Sequence, residues 1–209
     1  MENKSLTRTD LIVALALTMI MAVAFTLIGG RPLVVTFVVG LVGVAALLLW
    51  MFQAQAELPE PVSFYPVFFG TLAWQFIHFT EEFRTGFQEL FPVLYGAEPF
   101  SADLFVSVNM VSYFGFSISC ILVLSRNIRF LVAPMLFFIV YGAIGNAIAH
   151  TWWVILMGEY FPGFVTGLVY WILGPFALSR LIGSAKVAIT FTLGFGLVLV
   201  SILTIFMQQ

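Results

Sequence analysis

Ionisable side chains are scarce in this chain, and their densest grouping is His78-Phe79-Thr80-Glu81-Glu82. An imidazole followed three and four residues later by carboxylates can bind a cation, relay protons or form an ion pair. On a helix these positions lie within about 100° of one another, because residues three and four apart share a face. Gln75, Trp74 and Thr71 continue that face backwards. A polar stripe on an otherwise apolar helix is expected to face protein, not lipid.

Two further groupings carry polar chemistry. Asn146 and His150 are four residues apart and share a face with the small residues Gly142, Ala143 and Ala149, which let a neighbouring helix approach closely. Pro162-Gly163-Phe164-Val165-Thr166 opens another apolar segment, with Tyr170 one turn beyond Thr166. Proline is tolerated in a first helical turn, and the unpaired N–H groups there attract an anion or a developing negative charge.

Two histidines and a glutamate, with one position left to water, form the ligand set of catalytic zinc in hydrolases. The same donors suit non-haem Fe(II). His78, Glu82 and His150 are therefore the expected ligands of a divalent metal, zinc or iron. Glu81 is the expected general base or outer partner, and Asn146 and Thr166 are expected to orient substrate or stabilise an oxyanion. Arg84 is placed to pair with Glu81 or to recognise an anionic head group. Gly163 and Tyr170 complete the expected substrate-binding set. The order His-x-x-Glu-Glu is not the His-Glu-x-x-His of zincin proteases, so that reading fails.

The segments that must position these residues are overwhelmingly apolar. Of 209 residues, 62% are hydrophobic and 9% charged, and the mean hydropathy is +1.10. These values imply an all-α, polytopic transmembrane bundle. With no basic patch, nucleic acid is not an expected partner; membrane lipids and an amphiphilic small molecule are. The lone Cys120 lies in an apolar run and reads as a packing residue.

Seven apolar segments are expected to span, at about 11–28, 33–52, 62–81, 105–124, 131–157, 163–179 and 187–207. The first is longer than a signal-peptide core and is expected to be retained. Gly29-Gly30-Arg31-Pro32 joins the first two as a hairpin, and Gly174-Pro175 is expected to kink the sixth. The chain divides into a hairpin with its inner loop (1–61), a core (62–182) and a last helix (183–209). With the amino terminus inside, six Lys and Arg residues fall on inner segments and two, Arg31 and Arg84, on outer ones. This topology gathers all three polar groupings near the outer boundary.

Between the third and fourth segments, Phe83, Phe87, Phe91 and Tyr95 recur every four residues and form one apolar helical face. Pro92 is expected to split the segment into two short pieces. An aromatic belt at the headgroups and a lid over a site both fit this loop.

The three groupings together resemble the HXXEE family of bacterial integral membrane proteins. His78-Phe79-Thr80-Glu81-Glu82 matches the motif that names it, and Asn146 to His150 and Pro162 to Thr166 match its NXXXH and PGXXT motifs, in the family's order. The likeness covers roughly residues 65–180. It implies an enzyme in a bacterial plasma membrane, without naming substrate or reaction.

Each residue also has a plainer role: His78 as an interfacial anchor, Glu81 and Glu82 as the wet end of a helix, Asn146 as interhelical glue. Their convergence on one boundary favours a functional site. An enzyme, a proton- or ion-coupled carrier and a non-catalytic membrane protein remain the three classes. No internal repeat of the carrier kind is found.

Overall fold

A computed structural model describes residues 4–208, and among these every regular element is helical. Helix α1 (Arg8–Leu33) starts at a capping box: Thr7 Oγ1 accepts from the Asp10 amide, and the Asp10 carboxylate accepts from the Thr7 amide. Gly30 breaks its helical geometry, with φ +57° and ψ −142°. The chain folds back there, so that the Phe25 and Phe37 rings lie 4.9 Å apart. A straight helix would separate residues twelve apart by about 18 Å. After widened turns at Val34–Val38, α2 (Val39–Gln53) completes the expected hairpin.

Helix α3 (Pro61–Arg84) starts with proline at its first position, where no N–H is missed, and ends with the first polar grouping. It is followed by a short α4 (Phe87–Val93), by α5 (Ala102–Arg126) and by α6 (Val132–Phe137). Helix α6 passes through π turns at Phe138–Gly145 directly into α7 (Asn146–Met157). Then come α8 (Phe164–Gly167), α9 (Tyr170–Ile182) and α10 (Ala185–Phe206).

Five helical stretches are long and apolar enough to cross a membrane: Arg8–Gln53, Ala102–Arg126, Arg129–Met157, Phe164–Ile182 and Ala185–Phe206. This differs from the seven expected in two respects. The first two segments form one helical run folded at Gly30. Helix α3, although about 36 Å long at 1.5 Å per residue, is diluted by Gln75, His78, Glu81, Glu82 and Arg84 and is not among the five.

The stretch Arg129–Met157 is the axis of the bundle. Of its most apolar window 83% is buried, against 22–39% in the other four stretches. Its neighbours approach through glycine: a Cβ on Gly174 would sit 3.0 Å from the Ile144 backbone nitrogen, and one on Gly40 would sit 2.7 Å from the Tyr141 Cβ. Close backbone approach of this kind lets dispersion contacts hold helices together where lipid removes the hydrophobic drive. Cys120 is buried, as its apolar setting implies.

Side-chain contacts define the two ends of the bundle. At one end Lys4 pairs with Glu60, Ser5 Oγ donates to Gln55 Oε1 at 3.0 Å, and Arg129 Nη1 donates to the Ser5 carbonyl at 3.0 Å. At the other, Arg31 Nη2 donates to the Phe206 carbonyl at 3.3 Å, and the backbone N–H of Gln208 donates to the Leu94 carbonyl at 2.8 Å.

Two local expectations need correction. Pro92 does not split the aromatic loop, because α4 runs through it and Phe83 belongs to α3. Helix α9 carries Pro175, the expected kink site, inside it. A separate interruption lies before α9, at Leu168 and Val169, where the Val169, Trp171 and Ile172 amides each bond three residues back. Pro162 stands outside any helix, because Gly163, at φ +84°, caps α8 and the helix begins at Phe164.

Candidate metal centre

The last turns of α3, the middle of α7 and the loop into α8 meet at one point. His78, Glu82 and His150 are all buried there, with potential ligand atoms within 4.8 Å of one another. Glu82 Oε1 lies 3.4 Å from His78 Nε2 and 3.2 Å from His150 Nε2. The two imidazole rings are 4.9 Å apart and perpendicular.

The outer nitrogens fix which ring atoms carry protons. His150 Nδ1 lies 2.7 Å from the Pro162 carbonyl, which can only accept, so Nδ1 holds the hydrogen. His78 Nδ1 lies 2.8 Å from Thr166 Oγ1. That hydroxyl donates its own hydrogen to the Glu81 carboxylate in a short bond, so it accepts from His78 Nδ1–H. Neutral imidazoles in these tautomers present bare lone pairs at both Nε2 atoms.

Both Nε2 atoms are buried without a hydrogen-bond partner, and both face a carboxylate oxygen. Three acceptors turned towards one another repel unless a cation, either a metal ion or a proton on one ring, lies among them. The spacing suits a metal: ligands about 2.0–2.1 Å from a tetrahedral centre stand about 3.3 Å apart, close to the 3.2 and 3.4 Å found here. Each imidazole is also oriented from its far side, as metal-ligating histidines are.

Glu81, one residue before Glu82, points elsewhere. Its carboxylate accepts from the Val165 amide at 3.1 Å, the Thr166 amide at 2.8 Å and the Tyr160 hydroxyl at 2.7 Å. The anion expected at the start of the α8 segment is thus supplied by the chain itself. Partial burial and the neighbouring Glu81 carboxylate raise the pKa of the Tyr160 phenol, which keeps it a donor. Glu81 is therefore an orienting partner of Thr166 and, through it, of His78. It makes no ion pair with Arg84, which lines a shallow surface groove with Thr80, Glu81, Thr85 and Thr166.

Other expected site residues take more specific places. A Cβ on Gly163 would meet His150 Cε1 at 2.5 Å and Glu82 Cγ at 2.9 Å, so glycine here lets the loop close over these two side chains. Tyr170 is buried edge-on to His78, with ring centroids 5.4 Å apart, and donates to Gln75 Oε1 at 2.5 Å. Both residues shape the centre. Asn146 donates to the Gly142 carbonyl one turn back, at 3.0 Å, and lines the same internal cavity as Glu82.

Sequence reasoning placed Trp74 and Gln75 on the polar face of α3 without their partners, and it missed other contributors. The Pro162 carbonyl, the Tyr160 hydroxyl and Trp74 Nε1, which donates to the Thr166 carbonyl at 3.0 Å, all position the centre. Gln75 Nε2 donates to the Tyr113 hydroxyl at 3.1 Å, which donates to Asn109 Oδ1 at 2.9 Å. The pair at 109 and 113, four apart on an apolar helix, was the available signal for this relay.

Of the two roles open to the aromatic loop, the contacts favour a lid. Phe87, Phe91 and Tyr95 are buried, and the Phe87 ring lies 5.3 Å from that of His150. Trp153 Nε1 donates to the Tyr95 hydroxyl at 2.8 Å, and burial pushes the Tyr95 pKa up to about 12. Comparison with family models, curated proteins and solved structures finds no match to this chain.

Proposed function

We propose that this chain is a membrane-embedded, metal-dependent enzyme of the HXXEE kind, hydrolytic in its chemistry and acting on an amphiphilic, lipid-like substrate at one boundary of the bilayer. His78, Glu82 and His150 would hold zinc or iron. One observation carries the reading: two buried Nε2 atoms, neither with a hydrogen-bond partner, converge on one carboxylate oxygen. A metal bound by this set supplies Lewis acidity and lowers the pKa of bound water. The chain's own groups do the rest. Thr166 and the Pro162 carbonyl hold the imidazoles in the ligating tautomer, Glu81 holds Thr166, and the Phe87 lid excludes water. Asn146 is assigned to orient the polar part of the substrate.

In this reading the amino terminus lies in the cytoplasm and the centre near the outer face, as the positive-inside bias favours. In this reading α3 and both arms of the Gly30 hairpin also cross, giving seven spans.

A second reading, a proton-coupled carrier, draws on the hydrogen-bonded path from Tyr160 through Glu81 and Thr166 to His78. Elemental analysis of detergent-purified protein separates the two. The enzyme reading expects stoichiometric zinc or iron, lost in the His78→Ala/His150→Ala variant. Protein without metal that takes none up on titration contradicts it and favours the carrier.

A further inference from the structure

The mechanism leaves one large feature unused. An internal cavity, in which the centres of water-sized spheres have about 80 Å³ to move, begins at Glu82 and Asn146 and continues between α1, α5 and the π turns. Its lining on α5 recurs at Leu104, Val108, Ser112 and Phe116, a single helical face. Twelve residues of helix extend about 18 Å. That approximates the depth of one leaflet, half of a hydrocarbon core about 30 Å thick. The cavity is therefore long and narrow rather than round. Phe37, Phe137 and Phe138 line it further in.

Its polar groups are mostly spent on one another. Gln75, Tyr113 and Asn109 form the relay described above, and the Asn146 amide bonds within its own helix. Glu82 is the charged residue in the wall. Ile28, near the Gly30 turn, is the most exposed lining residue, and Phe37, Phe100 and the α5 residues Leu104, Val108, Asn109 and Ser112 are half-buried. The mouth thus opens sideways, between the tip of α1 and α5.

We propose that this cavity holds a single extended hydrocarbon chain of the substrate, such as one acyl chain, entering from the leaflet with its polar end at Glu82 and Asn146. The proposal rests on the catalytic reading of the centre, and it narrows the substrate to a lipid whose reacting group lies at the end of one long chain. Binding free energy from the chain would position that group beside the ligand cluster. Affinity is expected to rise about fourfold with each added methylene until the cavity is filled, then level off.

The test uses full-length protein in lipid nanodiscs, with metal content measured in the same samples and palmitate bearing a terminal diazirine as photolabel. The proposal expects label on Phe116, Phe137 and Tyr141, suppressed by unlabelled palmitate but not by butyrate. It expects that label to be lost in Val108→Trp, which plugs the mouth, while bound metal is retained. Mapping in the unsubstituted protein stands by itself if Val108→Trp does not fold. Label confined to the outward-facing Val111, Phe114 and Ile118, with no suppression by palmitate, overturns the proposal. Cavity labelling in metal-free protein supports the chain site while contradicting the metal centre, so the two failures are distinct.

Discussion

Helix α3 presents two neighbouring glutamates to two different surroundings. Glu82 is buried between two imidazoles at the end of an apolar cavity. Glu81 looks onto a surface groove and is saturated by two amides, a threonine and a tyrosine. Adjacent helical residues point about 100° apart, enough to put one carboxylate on each side of the ligand cluster. A pair that reads as a duplicate in the sequence thus divides into a candidate ligand and a support. The carboxylate with satisfied hydrogen bonds organises the centre, and the unsatisfied acceptors around the other mark a group that could hold a metal ion.

The contrast predicts a ranked set of effects. Glu82→Gln is expected to lower metal affinity by more than the roughly 10–100-fold typical of outer-shell changes, measured by competition with a chromophoric chelator. Equal affinities for Glu82→Gln and Glu81→Gln would erase the distinction. Glu81→Gln and Thr166→Val are each expected to fall within that 10–100-fold range. Because they act in series on His78, the double variant should lose little more than either alone; additive losses would show that Thr166 orients His78 without Glu81.

Gly163→Ala is expected next, at about 1–3 kcal/mol of stability for an alanine forced to positive φ, with weaker metal binding because its methyl group meets His150 and Glu82. Thermal unfolding in detergent measures the first effect and chelator competition the second. Tyr160→Phe removes one hydrogen bond to Glu81 at a half-exposed site, and a loss of about 0.5–1.5 kcal/mol is expected. Arg84→Ala, on the groove side, should leave metal affinity unchanged. A large loss there would move the functional surface from the cavity to the groove.

Much of this centre is legible in the sequence, because helical periodicity relates residues a few positions apart. His78 with Glu82, and Asn146 with His150, follow from a spacing of four, and the hairpin at Gly30 follows from its Gly-Gly-Arg-Pro run. The separate fates of Glu81 and Glu82 do not follow, since they depend on which neighbour lies on each side of α3. Backbone partners are also hidden: the Pro162 carbonyl that fixes His150 has no signature beyond the proline itself. The sequence misleads at Pro92, which is carried inside α4, and it gives no sign of the break at Leu168 and Val169, where no residue announces it.

The most direct test of the centre is X-ray absorption fine structure on the metal that copurifies with the protein, or on zinc added to it. The account predicts two imidazole nitrogens and a carboxylate oxygen in the first shell at about 2.0–2.1 Å, with the imidazole scattering lost in His78→Ala/His150→Ala. A shell of water or other oxygen donors alone, unchanged in that variant, would contradict it.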